Sequence, residues 1–495
     1  MQKPDLHNIA APCVLAFDLP LADGSILAIS EIVRVVPNKR LVCKAFWNNQ
    51  AVYAKLFIGA NAIRYAQRDE KGVQALVNAN IATPDLLFSG NVELYQKPAN
   101  ILIFKAIAAQ NVDVLYEHLL NAQQKPARLQ LILQLTSMVA LMHKANLQQT
   151  DLYFKNFLLD GDKLYAIDGD GIQAFSTLFK KRQKQRNLAT LLSKLDGLDT
   201  GWIEGLYAHY CKQTGISYST TDYAELCVLT QKIRQKTANS YADKKVFRTC
   251  TDVKVSQNFN QFTALSSDFG AKNLNVNQLD SVLDNAQSRL KSGNTCTVGR
   301  AVIANEQVVI KRYNIKNFWH GLKLGVSKSR AAKSWANAHR LTILNIATAK
   351  PLALIEARFG YIKRRAYFIS ANVDAPDIAQ FFAANVDVET KQNVAHETAL
   401  LFYKLNLLQI SHGDCKASNI KIVDNKPVLI DLDSMQSHTC AWWFEKKHIK
   451  DLKRLMQNWA NNPETSAIFK QAFVQAYDEI DDYLLPTILE RAKIA

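Results

Sequence analysis

The chain repeats itself, and this repeat limits the available folds more than any other feature of the sequence. Residues 147–173 read LQQTDLYFKNFLLDGDKLYAIDGDGIQ, and residues 409–436 read QISHGDCKASNIKIVDNKPVLIDLDSMQ. In each segment an Asp is followed five residues later by an Asn and 17 residues later by a second Asp. A spacing that recurs in this order predicts two copies of one domain.

A lysine lies upstream of each segment, at the end of an apolar run that is typical of a strand. Lys55 ends AVYAK and Lys311 ends QVVIK. The repeat predicts a first domain over 1–250 and a second over 281–495. Between them, 251–280 is rich in Asn, Gln and Ser, and this composition predicts a polar linker.

Periodicity predicts strands before helices in each copy. Residues 27–58 and 295–314 alternate apolar and polar side chains, as hairpin strands do. Residues 128–144 and 388–406 have helical periodicity. The runs FLLDGDKLYAID and IKIVDNKPVLID are typical of hairpins. We therefore expect the α+β class, with each copy built from a small β-rich lobe and a larger helical lobe.

Composition excludes several classes of protein and indicates an anionic partner. Apolar residues make up 48% of the chain, which excludes a disordered protein. The 60 Lys and Arg exceed the 44 Asp and Glu, for a net charge of +16. The eight cysteines are too widely spaced for a CxxC zinc site or a disulfide framework, and no run is apolar enough for a transmembrane helix. We expect a cytoplasmic protein.

The repeated residues suit phosphoryl transfer from ATP, which needs bound phosphates, coordinated magnesium and a positioned hydroxyl group. A strand lysine can bind phosphates, and an Asp can orient the hydroxyl group and accept its proton. An Asn five residues later and the second Asp can hold Mg²⁺ through oxygen atoms. The candidate residues are Lys311, Asp414, Asn419 and Asp431 in the second copy, and Lys55, Glu70, Asp151, Asn156 and Asp168 in the first.

The chain resembles the lipopolysaccharide kinase (Kdo/WaaP) family, in two tandem protein-kinase-like copies. The resemblance covers nearly all of 290–460, where SHGDCKASNIKIVDNKPVLIDLDSM and WFEKKHIKDLKRLMQNW match best, and it is fainter over 40–195. It implies ATP and Mg²⁺ as cofactors and a sugar hydroxyl of lipopolysaccharide core as acceptor. It also implies a position at the inner membrane.

The resemblance assigns a role to each candidate residue. Lys311 and Lys55 would bind the ATP phosphates, and Asp414 and Asp151 would be the catalytic bases. His412 would be the structural histidine of the catalytic loop. The magnesium ligands would be Asn419, Asp431, Asn156 and Asp168, with Glu70 on a helix as the partner of Lys55.

The first copy departs from the family pattern at two positions. Gln149 replaces the catalytic-loop histidine, and Asn187 stands where the second copy has Asp451. Neither copy contains a GxGxxG loop. One active copy beside a degenerate one is therefore an open alternative. So are a pseudokinase scaffold or regulator, and a kinase of the same fold that acts on a protein or a small molecule.

The second copy departs elsewhere. Trp335 occupies the place of Glu70. Either Glu356 or another group is then the partner of Lys311, or this copy positions its lysine differently. Asp433 and Asp170 each lie two residues after a predicted metal ligand. They are interpreted either as groups that support that ligand or as loop caps, and we favour loop caps.

Two basic segments suggest contacts to an anion. Residues 312–355 carry eight Lys and Arg and no acid, and 180–186 carry five. A cradle for an anionic acceptor, a contact to an anionic membrane surface, and a solvated helix face are the alternatives for 312–355. No nucleic-acid-binding motif is present, so we expect no nucleic acid partner.

Overall fold

The structure is a computed structural model that describes residues 13–36, 38–271, 274–293, 296–313, 328–360, 362–478 and 486–494. It divides into two units. The first comprises Met1–Leu195 and Trp202–Thr230, and the second comprises Asp196–Gly201 and Gln231–Ala495. Strands and helices are both abundant in each unit, as the α+β expectation requires.

An antiparallel six-stranded sheet, in the order β1-β2-β3-β4-β6-β5, opens the first unit. Its strands are β1 (Phe17–Pro20), β2 (Ile26–Val36), β3 (Arg40–Trp47), β4 (Gln50–Phe57), β5 (Leu86–Leu94) and β6 (Lys97–Lys105). Alternation gives the sheet two apolar faces. Leu27 and Leu41 pack in the core on one face, and Phe57 and Leu102 pack with Val73 of the first helix on the other.

Helices dominate the rest of the first unit. They are α1 (Ala62–Asn78), α2 (Val112–Asn121), α3 (Lys125–Lys144), α4 (Lys180–Leu192), α5 (Ile203–Thr214) and α6 (Thr220–Asp243). The short strands among them are β7 (Gln110–Asn111), β8 (Leu147–Gln149), β9 (Phe157–Asp160), β10 (Lys163–Ala166) and β11 (Ile172–Ala174). The predicted strands over 27–58, the helix over 128–144 and the hairpin of β9 and β10 are confirmed.

A seven-stranded antiparallel sheet, in the order β12-β13-β17-β18-β16-β15-β14, forms the corresponding part of the second unit. Its strands are β12 (Val253–Gln257), β13 (Gln261–Ser266), β14 (Arg289–Ser292), β15 (Cys296–Ile303), β16 (Glu306–Tyr313), β17 (Pro351–Phe359) and β18 (Ile362–Ala371). Leu283 packs against one face of this sheet, and Trp335 packs against the other.

Helices again follow the sheet. The helices of this unit are α7 (Val276–Asp284), α8 (Arg330–Ile343), α9 (Ile378–Ala383), α10 (Val388–Leu407), α11 (Ala441–Met456), α12 (Pro463–Asp478) and α13 (Pro486–Ala492). The short strands are β19 (Ile410–Ser411), β20 (Ile420–Val423), β21 (Lys426–Leu429) and β22 (Gln436–Ser437). The predicted strands over 295–314, the helix over 388–406 and the hairpin of β20 and β21 are confirmed.

The segment 251–280, predicted to be a polar linker, forms part of the sheet of the second unit. Residues 251–280 contain β12, β13 and the start of α7, and β13 lies within the sheet, paired with β12 on one side and with β17 on the other. Phe262 and Ala264 of β13 are buried, so this segment belongs to the core. Residues before it also belong to the second unit, whose boundary lies at Gln231 within α6 and not at 250. There the buried Val246 accepts a hydrogen bond of 3.0 Å from the Trp335 indole.

No helix among the described residues is both long and apolar enough to cross a bilayer.

Candidate functional site

A cluster of two cations and two carboxylates forms the predicted site of the first unit. Lys55 of β4 lies 2.7 Å from Asp69 of α1 and 3.5 Å from Asp168, which follows β10. Arg40, the first residue of β3, lies 3.1 Å from Asp168 and 3.4 Å from Asp69. Antiparallel pairing of β3 with β4 places both cations at one end of the sheet. The sequence did not predict Arg40 or Asp69.

The resemblance implied that Glu70 pairs with Lys55, but the structure pairs Lys55 with Asp69 instead. The buried face of α1 carries Ala62, Ala66, Asp69, Val73 and Leu76, at spacings of three and four residues. Asp69 lies on that face, and its neighbour Glu70 is rotated away by about 100°. The helical periodicity of the apolar residues in this segment was the sequence signal that could have identified Asp69 as the inward-facing acid.

Burial and charge act differently on the two carboxyl groups. Burial raises the pKa of Asp69 above its ordinary value, although Lys55 and Arg40 oppose the shift. Burial also acts to raise the pKa of Asp168, but the positive charges of Lys55 and Arg40 outweigh it, and the net pKa is lowered. Asp168 is therefore ionised at neutral pH and tied to two cations.

The second predicted segment lies beside this cluster. The Asn156 side chain is buried and donates a hydrogen bond of 2.8 Å to the Asp151 carbonyl. The Asn156 carbonyl accepts a hydrogen bond of 2.9 Å from Ile167, the residue before Asp168. These two bonds connect three predicted residues through the backbone, while the Asp151 side chain is exposed.

In the second unit the strand lysine has different partners. Lys311 of β16 pairs with Asp431 directly and lies 3.5 Å from Asp433. Asp433 also lies 2.6 Å from Arg330, at the start of α8. Burial acts to raise the pKa of Asp433, but Lys311 and Arg330 outweigh it and the net pKa is lowered. Asp433 is thus an ion-pair partner of the lysine and not the loop cap that we expected.

The same position in the first unit behaves similarly, since Asp170 pairs with Arg68 of α1. The expectation of a loop cap was wrong there too. In both units this second acid connects the loop after the hairpin to a cation on the helix.

The structure also shows which groups contact Lys311 in the second unit, where the sequence offers no acid on the helix. Trp335 is fully buried, and its indole donates to a backbone carbonyl. Glu356 is buried as well, but it accepts hydrogen bonds from Ser329 at 2.6 Å and from Arg358 at 2.5 Å. The described contacts of Lys311 are therefore to the acids of the loop, so neither Glu356 nor a helical acid is its partner.

The predicted catalytic loop of the second unit brings three polar side chains together. The Asn419 side chain donates to the Asp414 carbonyl at 2.9 Å and to its carboxylate at 3.1 Å. Lys416, which the sequence reasoning did not single out, lies 3.2 Å from the same carboxylate oxygen. The Asn419 carbonyl accepts a hydrogen bond of 3.0 Å from Ile430, the residue before Asp431.

A buried carboxylate holds this loop in place. Asp451 of α11 accepts hydrogen bonds from the backbone N–H groups of His412 at 2.7 Å and Gly413 at 3.0 Å. The His412 ring is fully buried and lies 3.1 Å from the Ile430 carbonyl. Gly413 has a φ of +83°, and a Cβ there would lie 2.8 Å from the Ser434 carbonyl oxygen, so this position requires glycine.

The first unit makes the corresponding contacts with the hydrogen-bond direction reversed. Asn187 of α4 donates to the Gln149 carbonyl at 2.9 Å, and its oxygen lies 3.0 Å from His143. Burial lowers the pKa of His143 to about 4, so this ring is neutral at pH 7. It also contacts the Tyr210 hydroxyl at 2.7 Å, as expected for a packed structural histidine.

The predicted metal ligands Asp168 and Asp431 share a rare backbone conformation. Their φ angles are +71° and +60°, in the left-handed region. Such a conformation is unfavourable for a residue other than glycine, and it often marks a functional position.

Most of the predicted basic surface over 312–355 is neutralised by acids from other segments. The pairs are Arg312 with Asp280, Lys328 and Arg340 with Asp243, Arg330 with Asp433, and Lys350 with Asp268. Because these acids lie elsewhere in the chain, the local sequence did not reveal them. Lys316, Lys323 and the phrase NFWHGLKLG lie outside the described residues.

Oxygen atoms remain available for a cation in the second unit. Within the part of the chain that the structure describes, no hydrogen bond is donated to Asn419 Oδ1 or to Asp431 Oδ2. The described part of the chain contains no cluster of three or more His, Cys, Asp or Glu placed to bind a metal. The oxygen donors at this site are therefore the amide of Asn419 and the carboxylate of Asp431. Oxygen donors of this kind fit Mg²⁺ and not a soft metal.

Comparison of the sequence with protein-family models identifies a family for this chain. The model of the lipopolysaccharide kinase (Kdo/WaaP) family matches residues 63–226 and 280–477. A solved structure, "WaaP in complex with acyl carrier protein", is 20% identical, with a TM-score of 0.33, over 41% of this chain and 87% of the other. No curated protein matches. The family match spans well over half of the sequence, and this chain belongs to the lipopolysaccharide kinase (Kdo/WaaP) family.

Proposed function

We propose that the second unit transfers the γ-phosphoryl group of ATP to a sugar hydroxyl of lipopolysaccharide core. Membership of the kinase family supports a phosphotransferase. The observation that carries the proposal is the grouping around Asp414, whose carboxylate contacts Lys416 and Asn419 on a loop held by Asp451.

The geometry suits a base that orients a hydroxyl group. Asp414 is partly exposed, so its carboxylate is accessible to an acceptor. The two contacts from Lys416 and Asn419 fix its orientation, and the lysine would stabilise negative charge that develops on the transferred group. Lys311 would bind ATP phosphate oxygens once these compete for its ammonium group with Asp431.

Mg²⁺ fits the free oxygens of Asn419 and Asp431, which would hold it. When bound, this ion neutralises charge on the ATP phosphates. The protein's own part is to hold both side chains in place, through the hydrogen bond between the Asn419 carbonyl and Ile430 and through the ion pair of Asp431.

We further infer that each unit has a protein-kinase-like fold and that the first is the degenerate copy. Asp168 faces two cations, Arg40 and Lys55, whereas the described residues place a single cation, Lys311, beside Asp431. Two positive charges on the predicted ligand disfavour a divalent cation. In this proposal the first unit supports the second, and the protein acts in the cytoplasm at the inner membrane.

Transfer of labelled γ-phosphate from Mg-ATP to purified dephosphorylated lipopolysaccharide core tests the proposal. Wild type, Asp414→Asn and Asp151→Asn form a matched set, because the change is the same at the two predicted bases. We expect transfer to fall by 10²-fold or more in Asp414→Asn and to persist in Asp151→Asn. Loss only in Asp151→Asn would reverse the assignment of units, and no transfer by folded, nucleotide-binding wild type would refute the acceptor.

A further inference from the structure

Two adjacent large apolar residues lie exposed at the same place in each unit. Trp442 and Trp443, at the start of α11, are 52% and 57% exposed. Leu178 and Phe179, just before α4, are 71% and 72% exposed. Each pair precedes by nine and eight residues the side chain that binds the predicted catalytic loop, Asp451 in one unit and Asn187 in the other.

Cations cover the rest of the exposed face of α11. The exposed residues that follow the tryptophans include Lys446, Lys447, Lys450, Lys453 and Arg454. The helix has only two acids. Glu445 pairs with Arg491, and Asp451 is buried against the loop. The exposed face is therefore aromatic at one end and positively charged along its length.

The face of α4 has the same character with different residues. Its first seven residues, KKRQKQR, carry five cations, and the whole helix contains no acid. One of these cations, Lys181, pairs with Asp222 at 2.9 Å. Phe179 has a φ of +59°, which is unfavourable for an aromatic residue, so the local fold presents this ring to solvent against its own backbone preference.

A cavity of about 260 Å³ lies beside this helix in the first unit. Apolar side chains such as Leu188, Tyr207 and Ile216 line it, together with the charged Lys180, Lys181, Lys184 and Asp222. Burial lowers the pKa of Lys184, and repulsion by Lys180 adds to the shift. Three lysines and one acid therefore line this space, and the surplus of cations suits a molecule with an apolar part and an anionic group.

Single exposed apolar residues are ordinary on protein surfaces, but paired ones beside a row of cations are not. Tryptophan prefers the interface between lipid headgroups and acyl chains, and lysine and arginine bind anionic headgroups. A helix with one cationic face and aromatic residues at its end matches the pattern of helices that bind a bilayer surface.

Single-stranded nucleic acid also binds aromatic and cationic residues together, through base stacking. The tryptophans are poorly arranged for stacking. Their rings are T-shaped at 4.7 Å, and Lys446 lies 3.6 Å from the centre of the Trp442 ring, over one of its faces. In the first unit the pair includes an aliphatic residue, Leu178. Both observations favour a lipid surface.

We propose that the exposed face of α11 and that of α4 with Leu178 and Phe179 are docking surfaces for an anionic lipid bilayer. The apolar pairs enter the boundary between headgroups and acyl chains, and the cations bind lipid phosphates. The predicted catalytic loops are held by the same two helices, so docking would bring each loop near the bilayer. This inference does not depend on the transfer reaction.

Co-sedimentation of the full chain with vesicles tests it. The vesicles contain 30% phosphatidylglycerol in phosphatidylcholine, or phosphatidylcholine alone, at 0.15 M salt. We expect binding to the anionic vesicles only. Trp442→Ser with Trp443→Ser should weaken binding by about tenfold or more, since buried apolar area is lost. Lys447→Gln and Lys450→Gln should each weaken it by about fivefold.

Matched controls separate docking from folding and from catalysis. Phe46→Ser removes an aromatic residue of similar exposure, 58%, from β3, and it should leave vesicle binding unchanged. Asp414→Asn should also bind vesicles as wild type does, so failure of docking and failure of phosphoryl transfer are distinguishable.

Three results would overturn the proposal. They are no binding of wild type to anionic vesicles, unchanged binding after all four apolar residues are replaced by Ser, and binding of single-stranded DNA that is tighter than vesicle binding and lost in the same variants.

Discussion

Replacing Asp69 by Asn removes the buried acid on which the lysine cluster of the first unit depends. Asp69 is fully buried, and its Oδ2 atom contacts both Lys55 and Arg40. Glu70, the next residue, has no hydrogen bond or ion pair among the described residues. Asp69→Asn and Glu70→Gln therefore form a matched pair, each an acid changed to its amide on the same helix.

The size of the effect follows from the partners that remain. Removing one member of a buried ion pair costs about 3–5 kcal/mol when the other is left alone. Here Asp168 still lies 3.1 Å from Arg40 and 3.5 Å from Lys55, so neither cation is left alone. The change also removes a carboxylate that burial itself disfavours. We therefore expect a loss of about 2 kcal/mol for Asp69→Asn and within about 0.5 kcal/mol for Glu70→Gln.

Thermal unfolding followed by circular dichroism measures both variants. For a domain of this size, 1 kcal/mol shifts the midpoint by about 2–4 °C, so Asp69→Asn should lower the transition of the first unit by about 4–8 °C. Hydrogen exchange in α1 assigns the loss to that helix. A larger destabilisation by Glu70→Gln than by Asp69→Asn would contradict the pairing of Lys55 with Asp69 and indicate Glu70 as the partner.

Two further predictions concern packing and pH. A Cβ at Gly72 would lie 1.9 Å from the Gly169 carbonyl oxygen, so Gly72→Ala should destabilise the first unit by 1 kcal/mol or more. Gly205→Ala on α5, where a Cβ meets nothing within 4 Å, should stabilise it by about 0.5–1 kcal/mol, and urea denaturation measures both. Because the folded-state pKa of Asp433 is lowered, its contribution is present above the unfolded pKa and lost as pH falls through the folded one. The urea midpoint of Asp433→Asn should therefore change less between about pH 5 and pH 2 than that of wild type, and an equal change would contradict the ion pair with Lys311.

Spacing within the sequence predicted the parts of the site that local structure determines. The Asp-to-Asn interval spans one loop, and both Asn156 and Asn419 bond back to the carbonyl of the Asp five residues earlier. The hairpins were recognisable because turn residues interrupt two short apolar runs, and in the second unit Asp424 and Asn425 adopt the positive φ angles that such turns require.

Contacts between distant segments were beyond the same reasoning. Asp69 and Glu70 are adjacent on α1, and the side of the helix on which each lies decides which of them faces Lys55. An alignment of the motif that is accurate only to within one residue cannot distinguish the two. The polar composition of 251–280 suggested a linker because the partner of β13, strand β17, lies about 90 residues later in the chain. The acids that neutralise 312–355 are separated from it in the same way.

The differences between the two units concern the same contacts, made by different chemical groups. His412 and Gln149 both approach the carbonyl before the predicted metal ligand, each at 3.1 Å. Asp451 accepts from backbone N–H groups, whereas Asn187 donates to a backbone carbonyl.

The helix that follows the lysine strand approaches its loop in two ways as well. In the first unit the glycines at 72 and 169 allow direct backbone contact, and in the second Asn337 donates to the carbonyls of Leu432 and Met435 at 2.8 and 2.9 Å. Each solution keeps the loop attached to its helix. What does differ is charge. A carboxylate at 451 holds N–H groups beside Asp414, and the first unit holds its loop with a neutral amide. Both units keep their loops attached, so stability measurements alone will not test the proposal that the first is the degenerate copy, whereas the paired changes at Asp414 and Asp151 will.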